Sequence, residues 1–208
     1  IRWMVNTVFM AVMSMIFTCI TAAMAGYALA KKRFVGRKLL FTLIVCAMAL
    51  PKQVILIPLL REMSSLNLYN TIWAVIFPIV GWPFGVFLMK QFYEGVPTEL
   101  CEAARIDGLS EYGIWWHIML PLSLPALSTL TIFTFVNTWN DFLGPLIYLT
   151  KTELKTIQIG LRMFITQYSA EYGLIMAASV VALIPVLIVF LSLQKYFVQG
   201  VASTGIKG

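Results

Sequence analysis

The chain has 208 residues, of which 60% are hydrophobic and 12% are charged, and its mean hydropathy is +0.87. This composition is far from that of a soluble globular domain and predicts an integral membrane protein. The net charge of +6 is therefore read as an excess of basic residues in loops. The sequence contains no basic patch with interleaved aromatic residues, which is the pattern that indicates nucleic-acid binding. The three cysteines have neither the spacing of a disulfide framework nor that of a metal site.

The first predicted span covers residues 3–30, which contain no charged side chain. It exceeds the ~20 residues that a helix needs to cross hydrocarbon. Ala22, Gly26 and Ala30 recur at every fourth position, a pattern typical of close helix packing. Small residues without a special partner fit the same pattern almost as well.

A short basic loop follows this span and contains no acidic residue. Its basic residues are Lys31, Lys32, Arg33, Arg37 and Lys38. The positive-inside rule places such a loop in the cytoplasm. The first span therefore runs from the outer to the inner face, which sets the direction of every later span.

The second predicted span, residues 39–60, is interrupted at Pro51 and Pro58. Broken helices at membrane depth often line a cavity or gate. Lys52 is therefore either a functional group within the membrane or, as we favour, a side chain that reaches the outer interface. The third span, residues 69–89, contains a GxxxG match whose embedded Pro83 indicates a kink at least as much as a packing face.

The segment 90–121 is the longest polar connection, and the orientation above places it in the cytoplasm. Pro97 and Thr98 predict the start of a short helix whose first turn carries acidic side chains, opposite the positive end of the helix dipole. Gly108 predicts a left-handed cap at its end, and Ser110 predicts the cap of a second helix that extends to Met119. The small side chains of the first helix allow another protein to approach closely.

The fourth predicted span covers residues 125–147, and the fifth covers 173–196, with an outer segment between them and a tail at 197–208. The fourth span carries a set of polar side chains at helical spacing, Thr134, Asn137, Asn140 and Asp141. Polar groups within a bilayer usually face a bundle interior or a watery path. These residues are candidates for the translocation path, and hydrogen bonding between helices for assembly alone is an equal alternative.

The cytoplasmic loop resembles the "EAA loop" of binding-protein-dependent ABC importer permeases. The matching residues are Glu102, Ala103, Ala104, Asp107, Gly108, Ile118, Leu120, Pro121 and Pro125. The P-x-Q run at Pro51, the I-P-L run at Pro58 and the run from Trp139 to Phe142 resemble the carbohydrate branch of that family. The C-terminal tail is similar to that of the smaller permease in maltose-type pairs.

This resemblance implies a coupling helix that docks in a cleft of the ATP-hydrolysing subunit. The implied coupling residues are Glu102, Ala103, Ala104, Arg105, Asp107 and Gly108. The implied partners are an ABC ATPase dimer, a second permease subunit of different sequence, an extracytoplasmic solute-binding protein and membrane lipid. ATP with Mg²⁺ is expected on the partner ATPase, and no cofactor or metal is expected in this chain.

The resemblance also implies a fold and a location. We expect an all-α polytopic membrane protein, a single permease domain over 1–208 with five spans, in a bacterial or archaeal plasma membrane. The coupling loop and the C-terminus are expected in the cytoplasm. Because the chain begins Ile-Arg-Trp and family members carry one more span, we expect a sixth, N-terminal span to be missing.

No catalytic motif is present in the sequence. It lacks G-x-x-x-x-G-K-[ST], H-E-x-x-H and G-x-S-x-G, and His117, the single histidine, favours a structural role. We therefore predict that the chain is not an enzyme. The alternative function is a self-sufficient secondary transporter or channel, for which only Lys52 and Asp141 are candidate ionisable groups and no internal repeat is evident.

Overall fold

A computed structural model describes residues 1–163 and 172–205, with side chains to residue 195. The described residues form helices joined by turns and contain no strand, which confirms the predicted all-α fold class. The α-helices are α1 (Arg2–Lys31), α2 (Arg37–Met48), α3 (Lys52–Ser65), α4 (Trp73–Val80), α5 (Pro83–Glu94), α6 (Glu99–Ile106), α7 (Glu111–Ile114), α8 (Leu120–Leu122), α9 (Leu124–Trp139), α10 (Leu143–Tyr148), α11 (Ile157–Met163) and α12 (Tyr172–Gly205). A π-helical turn covers Trp115–Met119, and a 3₁₀ turn covers Thr152–Leu154.

Several described helices are long and apolar enough to cross a membrane. Three qualify alone: α1, the α4–α5 segment Trp73–Glu94, and α12 as far as Lys195. The number rises to five if each of two interrupted pairs is counted as one span, namely α2 with α3 and Glu111–Leu122 with α9. The chain thus has the helices of a multi-pass membrane protein.

The second predicted span is interrupted at Pro51 as predicted but not at Pro58, and the fourth has an interruption that the sequence did not predict. The second predicted span is interrupted at 49–51, where Pro51 has extended backbone (φ −62°, ψ 131°), whereas Pro58 lies inside α3. In the fourth predicted span, α9 ends at Trp139 and α10 begins at Leu143. A side-chain oxygen of Asp141 accepts from the backbone N–H of Gly144 at 3.4 Å, so the break supplies a partner for the new helix start.

The last helix is longer than the sequence predicts. Residues 197–205 continue α12 instead of forming a separate tail. Adding a residue to an existing helix avoids the costly nucleation step, so a segment too short to fold alone can extend its neighbour. Residues 206–208 of the predicted tail, and 164–171 of the predicted outer segment, lie outside the described residues.

The chain divides into two compact units. The first unit comprises Ile1–Ile16, Pro51–Val80 and Ile132–Ser192. Its apolar centre includes Trp139, which stacks on Phe135 and donates its indole N–H to the carbonyl oxygen of Ala182 at 3.1 Å. The side chains of Trp3 and Asn6 donate to backbone carbonyls in 152–155, which fastens that segment to the start of α1.

The second unit comprises Phe17–Leu50, Gly81–Thr131 and Leu193–Gly208. Its core brings α1 and α5 into close contact. A Cβ atom added at Gly26 would lie 2.7 Å from Met89 Cβ and 2.8 Å from the backbone nitrogen of Lys90. Gly26, at the centre of the predicted small-residue pattern of α1, therefore does face a neighbouring helix.

The two glycines of the GxxxG match, Gly81 and Gly85, have different surroundings. A Cβ atom added at Gly85 would lie 3.1 Å from Ala22 Cβ, so this glycine allows close packing. Gly81 has open space around it and stands, with Trp82, between α4 and α5. The predicted packing face is thus present at Gly85, and the predicted irregularity lies just before Pro83.

Candidate functional site

The helix α6 begins at Glu99 and ends at Ile106, within the second unit. Thr98 precedes it as predicted, but its hydroxyl makes no capping hydrogen bond because its backbone is already helical (φ −71°, ψ −26°). Glu99 and Glu102 lie in the first turn. These carboxylates stabilise the helix start through its dipole instead of through a side-chain cap.

The end of α6 has the predicted left-handed glycine. Gly108 has φ +83°. The N–H of Gly108 donates to the carbonyl of Arg105, and the N–H of Leu109 donates to that of Ala104, both at 3.0 Å. This pair of hydrogen bonds is the Schellman motif, in which a glycine avoids the steric cost of the left-handed conformation. The Asp107–Gly108 pair therefore ends the helix at a fixed residue.

The two faces of α6 differ in burial. Cys101 and Ala104 are buried against the core of the second unit, where the Cys101 thiol contacts the Met119 sulfur at 3.7 Å. The opposite face is exposed and carries Glu102, Ala103 and Ile106, the last of which is 86% exposed. An exposed isoleucine beside an alanine and a carboxylate is the kind of surface that a protein partner covers.

One carboxylate holds α6 to the rest of the second unit. Glu111, the first residue of α7, accepts from the Arg105 guanidinium at 2.9 Å and from the Tyr27 hydroxyl at 3.0 Å, and it also pairs with the Lys32 ammonium. The side chain of Ser110 caps α7 by accepting from the N–H of Gly113 at 3.2 Å, as predicted. Arg105 is therefore paired within the chain, and its predicted contact with a partner stays a prediction.

The pairing of Glu111 makes the stability of this region depend on pH. The Lys32 ammonium, followed by the Arg105 guanidinium, lowers the pKa of Glu111 from 4.5 to about 2. Because the folded pKa lies below the unfolded value, this stabilisation is complete above pH about 4.5 and is lost as the pH falls toward 2. We expect Glu111→Gln to lower the melting temperature at pH 7 and the difference from the unmodified protein to shrink below pH 4.5.

This expectation is checked by thermal unfolding of the purified protein between pH 7 and 3. Glu62→Gln is the matched control, since Glu62 is exposed and forms no ion pair among the described residues. It should leave the melting temperature unchanged across the range. A Glu111→Gln effect that does not vary with pH would contradict the ion-pair explanation.

The first unit contains a polar cavity at the breaks between helices. Lys52 Nζ donates to Asp141 Oδ2 at 2.7 Å. The cavity has a volume of about 260 Å³, and its lining consists of Lys52, Gln53, Leu56, Asn140, Asp141, Phe142 and Leu143. The half-exposed Lys52 side chain thus reaches a carboxylate on another part of the chain, and its predicted place at the outer interface stays a prediction.

The predicted path residues separate into two groups. Asn140 and Asp141 line the cavity, whereas Asn137 is exposed on α9 outside it. Thr134 is fully buried, and its hydroxyl has no hydrogen-bond partner among the described residues. The four residues do not share one helix. The helix α9 ends at Trp139, so Asn140 and Asp141 belong to the break that follows it.

Sequence reasoning missed the residues that anchor α6. Glu111 and its partner Tyr27 are 84 positions apart, and no local pattern relates them. The one available signal was charge: Glu111 is an acidic residue in a loop that orientation places on the same side as the basic residues 31–38.

The chain matches the family model described as the binding-protein-dependent transport system inner membrane component over residues 20–203. It is 39% identical, over 99% of this chain and 74% of the relative, to the arabinooligosaccharides transport system permease protein AraQ of Halalkalibacterium halodurans. It is 33% identical, over 94% of this chain and 71% of the relative, to the lactose transport system permease protein LacG of Rhizobium radiobacter.

A solved structure has a similar fold. It is the crystal structure of a bacterial ABC transporter involved in the import of the acidic polysaccharide alginate. The match has a TM-score of 0.81 and 27% identity over 94% of this chain and 74% of that one. The chain belongs to the family of binding-protein-dependent transport system inner membrane components. It is a permease subunit of an ABC importer, and the alternative of a self-sufficient secondary transporter is not favoured.

Proposed function

We propose that this chain forms half of the translocation path of an ATP-driven importer for a sugar or a related hydroxylated solute. The observation that carries the proposal is α6: a capped helix, with the EAA residues in place, one face packed on its own core and the other face exposed. The relatives' names support a carbohydrate solute, since they concern arabinooligosaccharides and lactose.

The proposed partners follow from this arrangement. An ATPase dimer receives the exposed face of α6 around Glu102, Ala103 and Ile106, while Asp107 and Gly108 fix where the helix ends. ATP and Mg²⁺ bind that dimer, and this chain neither hydrolyses ATP nor holds a cofactor. A second, different permease subunit completes the path, and a solute-binding protein delivers the solute from outside.

In the proposed mechanism, closure of the ATPase dimer moves α6, and the Glu111 ion pairs carry that movement to α1. Glu111 joins Arg105 of α6 to Tyr27 of α1 and to Lys32, which directly follows α1. A helix held by several charge-assisted hydrogen bonds moves with the body that holds it. The spans then alternate between inward-facing and outward-facing arrangements as rigid bodies.

The proposed topology is that of the sequence prediction: one permease domain in a bacterial or archaeal plasma membrane, with α6 and the C-terminus in the cytoplasm. Asn140 and Asp141 lie on the proposed path, where the structure has a polar cavity. Thr134 and Asn137 were predicted for the path as well. Thr134 is fully buried, which supports a role in packing.

The test is to purify the tagged full-length protein in mild detergent from its own source and to identify the accompanying proteins by mass spectrometry. We expect an ATPase, a second permease and a solute-binding protein, and the reconstituted complex should import sugar only with ATP. A chain that purifies alone and transports without ATP would overturn the proposal and favour the secondary transporter.

A further inference from the structure

The cavity of the first unit lies where two helices are interrupted. Lys52 is the first residue of α3, directly after Pro51, and Asp141 stands between α9 and α10. Each charged side chain therefore projects from a break in a helix, and the two breaks are joined by the 2.7 Å ion pair. Irregular backbone at membrane depth is tolerated where it lines a cavity, which fits both positions.

The ion pair has hydrogen-bonding capacity left over. Asp141 is only 10% exposed, and its carboxylate accepts from Lys52 and, at 3.4 Å, from the N–H of Gly144. A carboxylate has about four lone-pair sites, and an ammonium has three donors, of which Lys52 gives one to Asp141 among the described residues. The cavity thus offers unused acceptors and donors side by side.

The remaining lining determines what chemistry fits. Gln53 and Asn140 are exposed amides that both donate and accept, and Leu56, Phe142 and Leu143 add apolar and aromatic surface. A hydroxyl group also donates and accepts, so it can bind the ammonium and the carboxylate together without breaking their pair. An anion would meet Asp141 and a cation would meet Lys52, so a charged solute is disfavoured.

We propose that Lys52, Gln53, Asn140 and Asp141 form a subsite for a neutral, polyhydroxylated solute, one sugar ring at a time, on the translocation path. This inference rests on the proposed function, and it adds Lys52 and Gln53 to the path residues that the sequence indicated. The volume of about 260 Å³ suits a single ring and not a whole oligosaccharide.

Gly144 positions the carboxylate of this subsite. A Cβ atom added at Gly144 would lie 2.7 Å from Asp141 Oδ2, the oxygen that pairs with Lys52. Gly144→Ala should therefore displace the carboxylate without changing any charge. It provides a test of geometry that is separate from Lys52→Met and Asp141→Asn, which test charge.

The experiment uses the complete transporter in proteoliposomes, with Cys19, Cys46 and Cys101 replaced by alanine. Leu143→Cys places a thiol at an exposed position of the lining that is not one of the four subsite residues, and Arg61→Cys is the control on α3 outside the cavity. Labelling by a methanethiosulfonate reagent is measured with and without lactose, arabinotriose or glutamate. At a sugar concentration four times the dissociation constant, labelling at 143 should slow about fivefold and labelling at 61 should not change.

The outcomes separate the two proposals. Lys52→Met, Asp141→Asn and Gly144→Ala, each combined with Leu143→Cys, should remove the protection by sugar. Three results in a complex that still imports with ATP would overturn the subsite alone. They are absence of labelling, no protection by either sugar, and equal protection by glutamate. A complex without an ATPase, or uptake indifferent to ATP, would overturn the proposed function whatever the labelling shows.

Discussion

Glu102→Lys is expected to abolish ATP-driven uptake while leaving the protein folded. Glu102 is exposed on α6 and makes no ion pair among the described residues, so its replacement breaks no described contact of the chain. If the exposed face of α6 meets the ATPase, a reversed charge there costs several kcal/mol of docking free energy. A loss of about 1.4 kcal/mol already makes the association tenfold weaker. We expect at least a tenfold loss of uptake, with ATPase activity no longer stimulated by the loaded solute-binding protein.

The measurement is uptake and ATPase activity of the reconstituted complex, together with the melting temperature of the variant. Glu62→Lys is the matched control, because it reverses an exposed acidic charge on α3 and not on α6. It should retain uptake. A Glu102→Lys protein with full uptake would overturn the assignment of α6 as the coupling helix.

Gly26→Val is expected to have the largest effect on folding. A Cβ atom at this position would lie 2.7 Å from Met89 Cβ, 2.8 Å from Lys90 N and 2.9 Å from Met89 C. Two of these three atoms belong to the backbone of α5, which cannot yield as a flexible side chain can. Overpacking of this kind costs about 1–3 kcal/mol, and more where backbone must shift.

Gly81→Val is the control for this variant, since nothing lies within 4 Å of a Cβ atom added at Gly81. We expect Gly26→Val to lower the melting temperature by several degrees and to reduce the yield of monodisperse protein. Gly81→Val should do neither. Equal melting temperatures for the two variants would contradict the close contact between α1 and α5.

The features that the sequence predicted correctly depend on local pattern. The long apolar run of α1, the left-handed Gly108 and the cap at Ser110 each follow from residues within a few positions of one another. Their physical causes are also local: the length that hydrocarbon demands, the steric freedom of glycine and the unpaired N–H groups at a helix start. The family followed from the EAA loop for the same reason, since its spacing is continuous in sequence.

The tertiary structure decided which residues meet. Glu111 pairs with Tyr27 across 84 positions, and Lys52 pairs with Asp141 across 89. Nothing near either residue in sequence specifies its partner, because an ion pair depends on distance in space after the helices have packed. The same holds for glycine: Gly85 and Gly81 belong to one GxxxG match, yet only Gly85 has a neighbouring helix against it. The sequence by itself determined the all-α class, the long apolar helices and the ends of α6 and α7, and it predicts their direction in the membrane and the coupling role of α6, whereas only packing determined which charges and which small residues meet.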